Sequence, residues 1–138
     1  MVDLLSASRR SENMRRIRSR DMKPELVVRS MLHRLGYRFR LHAKDLPGKP
    51  DIVRRNQQQV IFVHGCFWHQ HPKAGCLDSR LPRSNNSYWL PKLSGNILRD
   101  KRNIAKLRRA GWKVLVIWEC EIQNKEKLQQ QLLKFLKR

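Results

Sequence analysis

The feature that most restricts this chain is the run Val63-His-Gly-Cys-Phe-Trp-His-Gln-His-Pro-Lys-Ala-Gly-Cys76. Three of the five histidines and two of the three cysteines fall between His64 and Cys76. Residues 65–91 are rich in Gly, Pro, Ser, Asn and Cys, a composition that predicts irregular backbone. Such a loop has few apolar side chains to bury and needs another anchor. Cys66, His71 and Cys76 are separated by four residues each, and the third cysteine, Cys120, follows a predicted strand. Together they make a Cys3His set, the composition of a closed, tetrahedral, structural zinc site. The bland alternative is that these are reduced core thiols and surface histidines, since cysteine is commonly buried without metal. An odd cysteine count without a secretory signal argues against a disulfide framework.

The rest of the chain supplies a frame for that loop. Pro24 suits the first position of a helix. Val28, Met31, Leu32 and Leu35 form one apolar stripe, and Gly36 is the stop. Tyr37 to His42 alternates with period 2 and reads as a half-buried strand. Leu46-Pro-Gly-Lys-Pro50 is a turn, Asp51–Arg54 a short strand, and Val60–Val63 a fully apolar one. The last two are close enough to form an antiparallel hairpin. A helix over about 92–110 puts Leu93, Ile97, Ile104 and Leu107 inward, with Gly111 closing it. Trp112–Trp118 reads as a buried strand, and a final helix from about Lys125 carries Leu128, Leu132, Phe135 and Leu136 on one face. The order α-β-β-β-α-β-α predicts an α/β fold with a mixed central sheet flanked by helices.

The charge points to a partner. Lys and Arg number 31 against 11 Asp and Glu among 138 residues, a net charge of +20. A polyanion suits this excess, and nucleic acid leads because each neutralised phosphate releases counterions. No apolar run approaches the ~20 residues of a spanning helix. The N-terminus carries no signal-peptide core. The expectation is a cytoplasmic, nucleoid-associated protein with no membrane partner. Residues 1–23 form a basic N-terminal segment, either a DNA-clamping arm or a disordered tail, and residues 24–138 a single domain. Seven Lys/Arg lie within 9–23.

Candidate catalytic residues cluster around Asp51. A carboxylate fixed by a proline turn at a strand edge can hold Mg²⁺ against a phosphate, although a lone Pro-Asp pair is more often a turn. His64 and His69 lie across the proposed hairpin, where an imidazole can accept or deliver a proton. Glu25 could add a carboxylate or hold a histidine; as an acid in a helix first turn it also has a purely structural explanation. Phe67-Trp68 is an aromatic pair in a loop. It could wedge between base steps or form a small core around the zinc.

His64-Gly-Cys-Phe-Trp-His69, preceded by Pro-Gly-Lys-Pro-Asp51 and followed by Trp118-Glu-Cys120, resembles the very short patch repair (Vsr) endonucleases. Arg10-Ser-Glu-Asn-Met14-Arg resembles them too, so the likeness runs from about Ser8 to Cys120. It implies a restriction-endonuclease-like fold and nicking of double-stranded DNA 5′ of the thymine in a T·G mismatch, the product of 5-methylcytosine deamination. It implies that Asp51, with the backbone of Val63, holds catalytic Mg²⁺, that His69 assists the attacking water, and that Glu25 and His64 support them. It assigns Cys66, His71, Cys76 and Cys120 to structural Zn²⁺. Phe67 and Trp68 would enter the duplex from the major groove, Met14 from the other side, and Lys92 and Asn96 would contact the mismatched bases. Mismatch-repair proteins are candidate partners, and a monomer suffices for a single-strand cut. Three features depart from the pattern. Position 63 is often Thr and is Val here, the loop from His71 to Cys76 differs in length from some relatives, and the second acid and lysine usual in the wider nuclease superfamily are not visible after Asp51. A sequence-specific restriction enzyme of the same fold and a non-catalytic zinc-bearing DNA-binding module are the competing readings.

Overall fold

The computed structural model of the chain describes residues 24–72, Cys76 and residues 86–137. The basic N-terminal segment, Met14 included, lies outside the described residues. Helix α1 covers 24–34 and buries Val28, Met31 and Leu32, with Leu35 packed beside them. Gly36 ends it at φ 85°, a left-handed position that costs glycine little. There Tyr37 N–H donates to the Leu32 carbonyl and Gly36 N–H to that of His33, both at 3.0 Å, which satisfies carbonyls of the last turn.

Strand β1 is Arg40–Leu41, β2 is Ile52–Arg54, β3 is Gln59–His64 and β4 is Lys113–Trp118. They form one four-stranded sheet in the order β1-β2-β3-β4. The β1–β2 and β2–β3 pairs are antiparallel, and β3–β4 is parallel. The sheet is therefore mixed, and the expected β2–β3 hairpin is present. Between β3 and β4 runs helix α2, Asn86–Arg109; a 3₁₀ turn, Glu119–Gln123, and helix α3, Lys125–Leu136, complete the chain.

Alternation divides the sheet into two apolar faces. Ile52, Ile61 and Ile117 pack against α1 and against Leu128, Leu132, Phe135 and Leu136 of α3. Val53, Val60 and Phe62 pack on the other face against Leu107, with Ile104, Val114 and Val116 at the margin. Each such side chain withdrawn from water contributes about 1.5–3 kcal/mol. Among the described residues Gln59 and His64 are the buried polar ones; Gln59 donates from Nε2 to the Phe135 carbonyl at 3.2 Å and accepts at Oε1 from Arg54 at 2.6 Å. It thereby adds a side-chain donor to the Phe135 carbonyl at the end of α3, where the Lys137 N–H also points.

Three sequence expectations need correction. The alternation over Tyr37–His42 is real, since Tyr37, Phe39 and Leu41 all pack on the α1 face, but only Arg40 and Leu41 pair. Their partner β2 is three residues long, and His42 turns the chain out of the ladder at φ 51°. Helix α2 begins at Asn86 rather than near Lys92, so 86–91 is helical and Pro91 sits inside it. Aromatic packing of Trp89 and Tyr88, described below, offsets the amide lost at Pro91. Finally, β4 is an edge strand, and only Ile117 in it is fully buried.

The topology gathers one end of the sheet. β3 and β4 run parallel and finish together, with His64 opposite Trp118. β2 runs the other way, so its beginning, at Asp51, lies at that same end.

Candidate active site

Asp51 is placed by the turn that precedes it. A Cβ at Gly48 would fall 3.1 Å from Asn103 Cβ and 3.2 Å from the Phe62 ring, and φ there is +75°. Glycine thus lets the turn lie flat on α2 and Phe62. Pro50 is fully buried, and its carbonyl accepts from Ala43 N–H at 3.1 Å. From this fixed base the Asp51 Oδ2 accepts the Val63 N–H at 2.7 Å. Burial pushes the Asp51 carboxyl above the usual carboxylate range, and the Glu25 charge pushes it further; the Val63 bond and the His42 and His69 charges oppose this. A half-buried carboxylate beside a second carboxylate is under-compensated, and a cation would relieve it.

That second carboxylate comes from α1. Glu25 Oε1 accepts from His42 Nε2 at 2.6 Å, while His42 N–H donates to the Asp51 carbonyl at 3.0 Å. Glu25, His42 and Asp51 each offer a ligand atom within 4.8 Å of the other two.

Beside them stand the two histidines. His64, at the end of β3, is 5% exposed. The His69 ring lies face to face with it, centroids 3.8 Å apart at 4°, and Trp118 meets His64 edge-on at 5.2 Å. Burial, then the neighbouring His69, lowers the His64 pKa to about 4, with Asp100 opposing. His64 is therefore neutral at pH 7. His69 is held differently: its Nδ1 is 2.6 Å from Asp100 Oδ2 on α2. An ionised carboxylate only accepts, so the proton sits on Nδ1 and the Nε2 lone pair is left available as a base.

The irregular loop begins as a tight turn. His69 N–H donates to the Gly65 carbonyl at 3.1 Å and His71 N–H to that of Cys66 at 3.0 Å. Cys66, His71, Cys76 and Cys120 converge, one ligand atom of each within 4.8 Å of the others. His71 Nδ1 is 3.7 Å from Cys66 Sγ and 3.3 Å from Cys120 Sγ. Tetrahedral zinc bonds would set a sulfur–nitrogen edge of roughly 3.6 Å. The His71 ring stacks on Trp118 at 4.4 Å, and Glu119 Oε1 accepts from Cys66 N–H at 3.4 Å. Burial pushes the Cys66 and Cys120 thiols up. These two thiols are poor anions unless a cation deprotonates them, which a bound divalent metal would do outright. The donor set, count and spacing fit a closed four-coordinate metal.

Phe67 and Trp68 are half-buried. They pack with Trp89 of α2, Phe67 at 5.3 Å and Trp68 at 5.8 Å, and Tyr88 adjoins Trp89 at 5.0 Å. Asn96 Nδ2 donates to the Trp68 carbonyl at 2.9 Å, and Lys92 Nζ to the Tyr88 hydroxyl at 2.8 Å. Asn96 thus ties the aromatic loop to α2, whereas Lys92 reaches Tyr88 one turn back on the same helix.

Two residues of this corner escaped the sequence reading. Asp100 follows Lys92 and Asn96 at helical spacing of four, so a polar stripe on α2 was there to be noticed. His42 ends the alternating segment and carries no motif of its own. The Val63 backbone, a candidate metal ligand from the sequence, gives its N–H to Asp51 Oδ2, and its valine side chain takes no part in that bond.

A mixed sheet that collects carboxylates, an imidazole paired to Asp100 and a Cys3His cluster able to hold a metal, on a chain of charge +20, is the composition expected of a DNA-cleaving enzyme. Comparison with known proteins agrees. The family model for the DNA mismatch endonuclease Vsr matches residues 2–74. The chain is 49% identical over 136 residues to the type II nicking enzyme V.XorIIP of Xanthomonas oryzae, covering 99% of this chain and 98% of that one. It is 41% identical over 133 residues to the DNA mismatch endonuclease Vsr of Escherichia coli, covering 96% and 83% respectively. V.NmeAIP, a type II nicking enzyme of Neisseria meningitidis, is 43% identical over 125 residues, covering 91% and 87%. The chain belongs to the Vsr family of DNA endonucleases. No helix among the described residues is long and apolar enough to cross a membrane.

Proposed function

We propose that this chain nicks one strand of duplex DNA 5′ of the thymine in a T·G mismatch, using Mg²⁺ at Asp51 and structural Zn²⁺ at Cys66, His71, Cys76 and Cys120, on a restriction-endonuclease-like fold. The observation that carries the reading is the convergence of Asp51, Glu25 and the His69–Asp100 pair at one end of the sheet. The names of its relatives, nicking enzymes and a mismatch endonuclease, support a single-strand cut and a mismatched duplex, and the T·G preference follows from the family resemblance.

Asp51 and the Val63 carbonyl would hold the catalytic cation in this reading, with Glu25 beside them. Bound there, the cation would supply charge neutralisation at the scissile phosphate and the leaving 3′-oxygen. His69 Nε2 takes a proton from the attacking water, and Asp100 stabilises the imidazolium that results. His64, kept neutral by burial, forms an uncharged wall behind His69. The products are a 5′-phosphate and a 3′-hydroxyl. Phe67 and Trp68 unstack the duplex from the major groove and Met14 from the opposite side. Unstacking costs a few kcal/mol and least at a mismatch, so it contributes selectivity. Lys92 and Asn96 contact the mismatched pair, the basic arm clamps the duplex, and a monomer is sufficient.

The test is a nicking assay on plasmid-length duplexes carrying T·G, other mismatches, or none, with and without Mg²⁺. The expected result is a Mg²⁺-dependent single-strand cut confined to T·G. Cleavage of both strands of a matched duplex would instead identify a restriction enzyme, and no cleavage of any duplex a non-catalytic module.

A further inference from the structure

The donor set around Asp51 is not all oxygen. His42 Nε2 lies 2.6 Å from Glu25 Oε1, and both lie within 4.8 Å of an Asp51 oxygen. Octahedral coordination at about 2.1 Å places neighbouring ligand atoms about 3 Å apart and opposite ones about 4.2 Å apart. The 2.6 Å contact is shorter than the first spacing and the 4.8 Å limit wider than the second, so the three side chains can close on one ion once they shift slightly and the ion takes the place of the hydrogen that His42 Nε2 gives to Glu25. The backbone holds His42 there as well, since its N–H is bonded to the Asp51 carbonyl and its φ is 51°. The ring is 53% exposed and Glu25 15% exposed, so ion and water can reach them.

The geometry points to His42 as a third ligand of the Asp51 metal site, making it a dicarboxylate–imidazole centre that favours Mn²⁺ over Mg²⁺. The inference rests on Asp51 as the metal carboxylate, and it adds a nitrogen donor that this reading does not require. Mg²⁺ is selective for oxygen and keeps its waters, whereas imidazole strengthens binding of first-row transition metals. A pure carboxylate site with waters has much less reason to discriminate. The exposed position of His42 also means that replacing it removes a donor without opening the core. Asparagine suits the replacement because it tolerates a left-handed backbone.

The experiment uses the full chain with its cysteine cluster zinc-loaded, titrated with Mn²⁺ and with Mg²⁺ in the absence of DNA. Free Mn²⁺ is counted by electron paramagnetic resonance, and electron spin-echo modulation of the bound ion reports directly coordinated ¹⁴N. The expected result is at least tenfold tighter binding of Mn²⁺ than Mg²⁺, with a ¹⁴N modulation. His42→Asn should remove that modulation and at least tenfold of the Mn²⁺ affinity while the melting temperature stays put. If His42→Asn keeps both the affinity and the ¹⁴N signal while Asp51→Ala loses Mn²⁺, the role of His42 is overturned and Asp51 stands. If Asp51→Ala binds Mn²⁺ like the parent chain, the Asp51 metal site itself is overturned.

Discussion

Asp100 Oδ2 stands 2.6 Å from His69 Nδ1, and the same His69 ring lies flat against His64 at 3.8 Å. One carboxylate is therefore bonded to only one of two stacked imidazoles. His69 has the counter-charge, and His64 has apolar surroundings instead.

Asp100→Asn keeps the shape of this arrangement and removes the charge that supports imidazolium. Single-turnover nicking should fall roughly 10²–10⁴-fold, the range of general acid–base catalysis. Affinity for mismatched duplex, read by fluorescence anisotropy, should stay nearly unchanged. A variant that nicks at the parental rate would show that the Asp100 charge does not support His69 in catalysis.

Asp51→Ala should abolish nicking and leave DNA binding nearly intact. Asp51→Asn is the sharper variant, because its amide oxygen still accepts the Val63 N–H while its charge is gone. It should lose nicking as completely as alanine does, with a melting temperature close to that of the parent. Retained nicking in Asp51→Asn would mean that the side chain matters as a turn acceptor rather than as a carboxylate.

Cys120→Ser tests the staple. The hydroxyl cannot replace a thiolate, so zinc content measured on the purified protein should drop below one per chain. A structural zinc contributes on the order of 10 kcal/mol to folding in small domains. Losing even a fraction of that should lower the melting temperature by roughly 10 °C or more. An unchanged metal content and melting curve would return these cysteines to the status of core thiols.

His64 makes stability pH-dependent. Its pKa is about 4 when folded, below the ordinary value of 6.5, so between these limits the unfolded chain binds the extra proton. Its contribution is complete above pH 6.5 and is lost as the pH falls through 4. The size is about 3 kcal/mol at that depression, with the ring almost fully buried. His64→Phe should remove this slope, and subtracting the two denaturation curves cancels acid effects at the metal cluster. Parallel curves from pH 7 to pH 4 would refute the assignment.

Much of the frame could be read along the chain, because period-2 and period-3.6 patterns are local. The α3 stripe Leu128, Leu132, Phe135, Leu136 and the hairpin of β2 with β3 are as expected. The Cys3His set was also visible, since three of its four members lie in one short run and chemistry restricts what such residues do together. What resisted was anything settled by a distant partner. The start of α2 could not be read through Pro91, because the aromatic contacts of Trp89 with Phe67 and Trp68 come from a loop some twenty residues earlier.

The sequence by itself determined the charge, the two-faced sheet, the family motif and the identity of the thiol and imidazole donors, all of which depend on residue type and short spacing. Only the tertiary structure decided that Asp100 orients His69, that His42 joins Glu25 beside Asp51, and that the Val63 amide supports the carboxylate. Those pairs lie 31, 17 and 12 residues apart. They meet because an antiparallel β2 and parallel β3 and β4 bring a strand start and two strand ends to the same edge. No local pattern encodes a meeting of that kind, since it arises when the two apolar faces are buried and the sheet order is set.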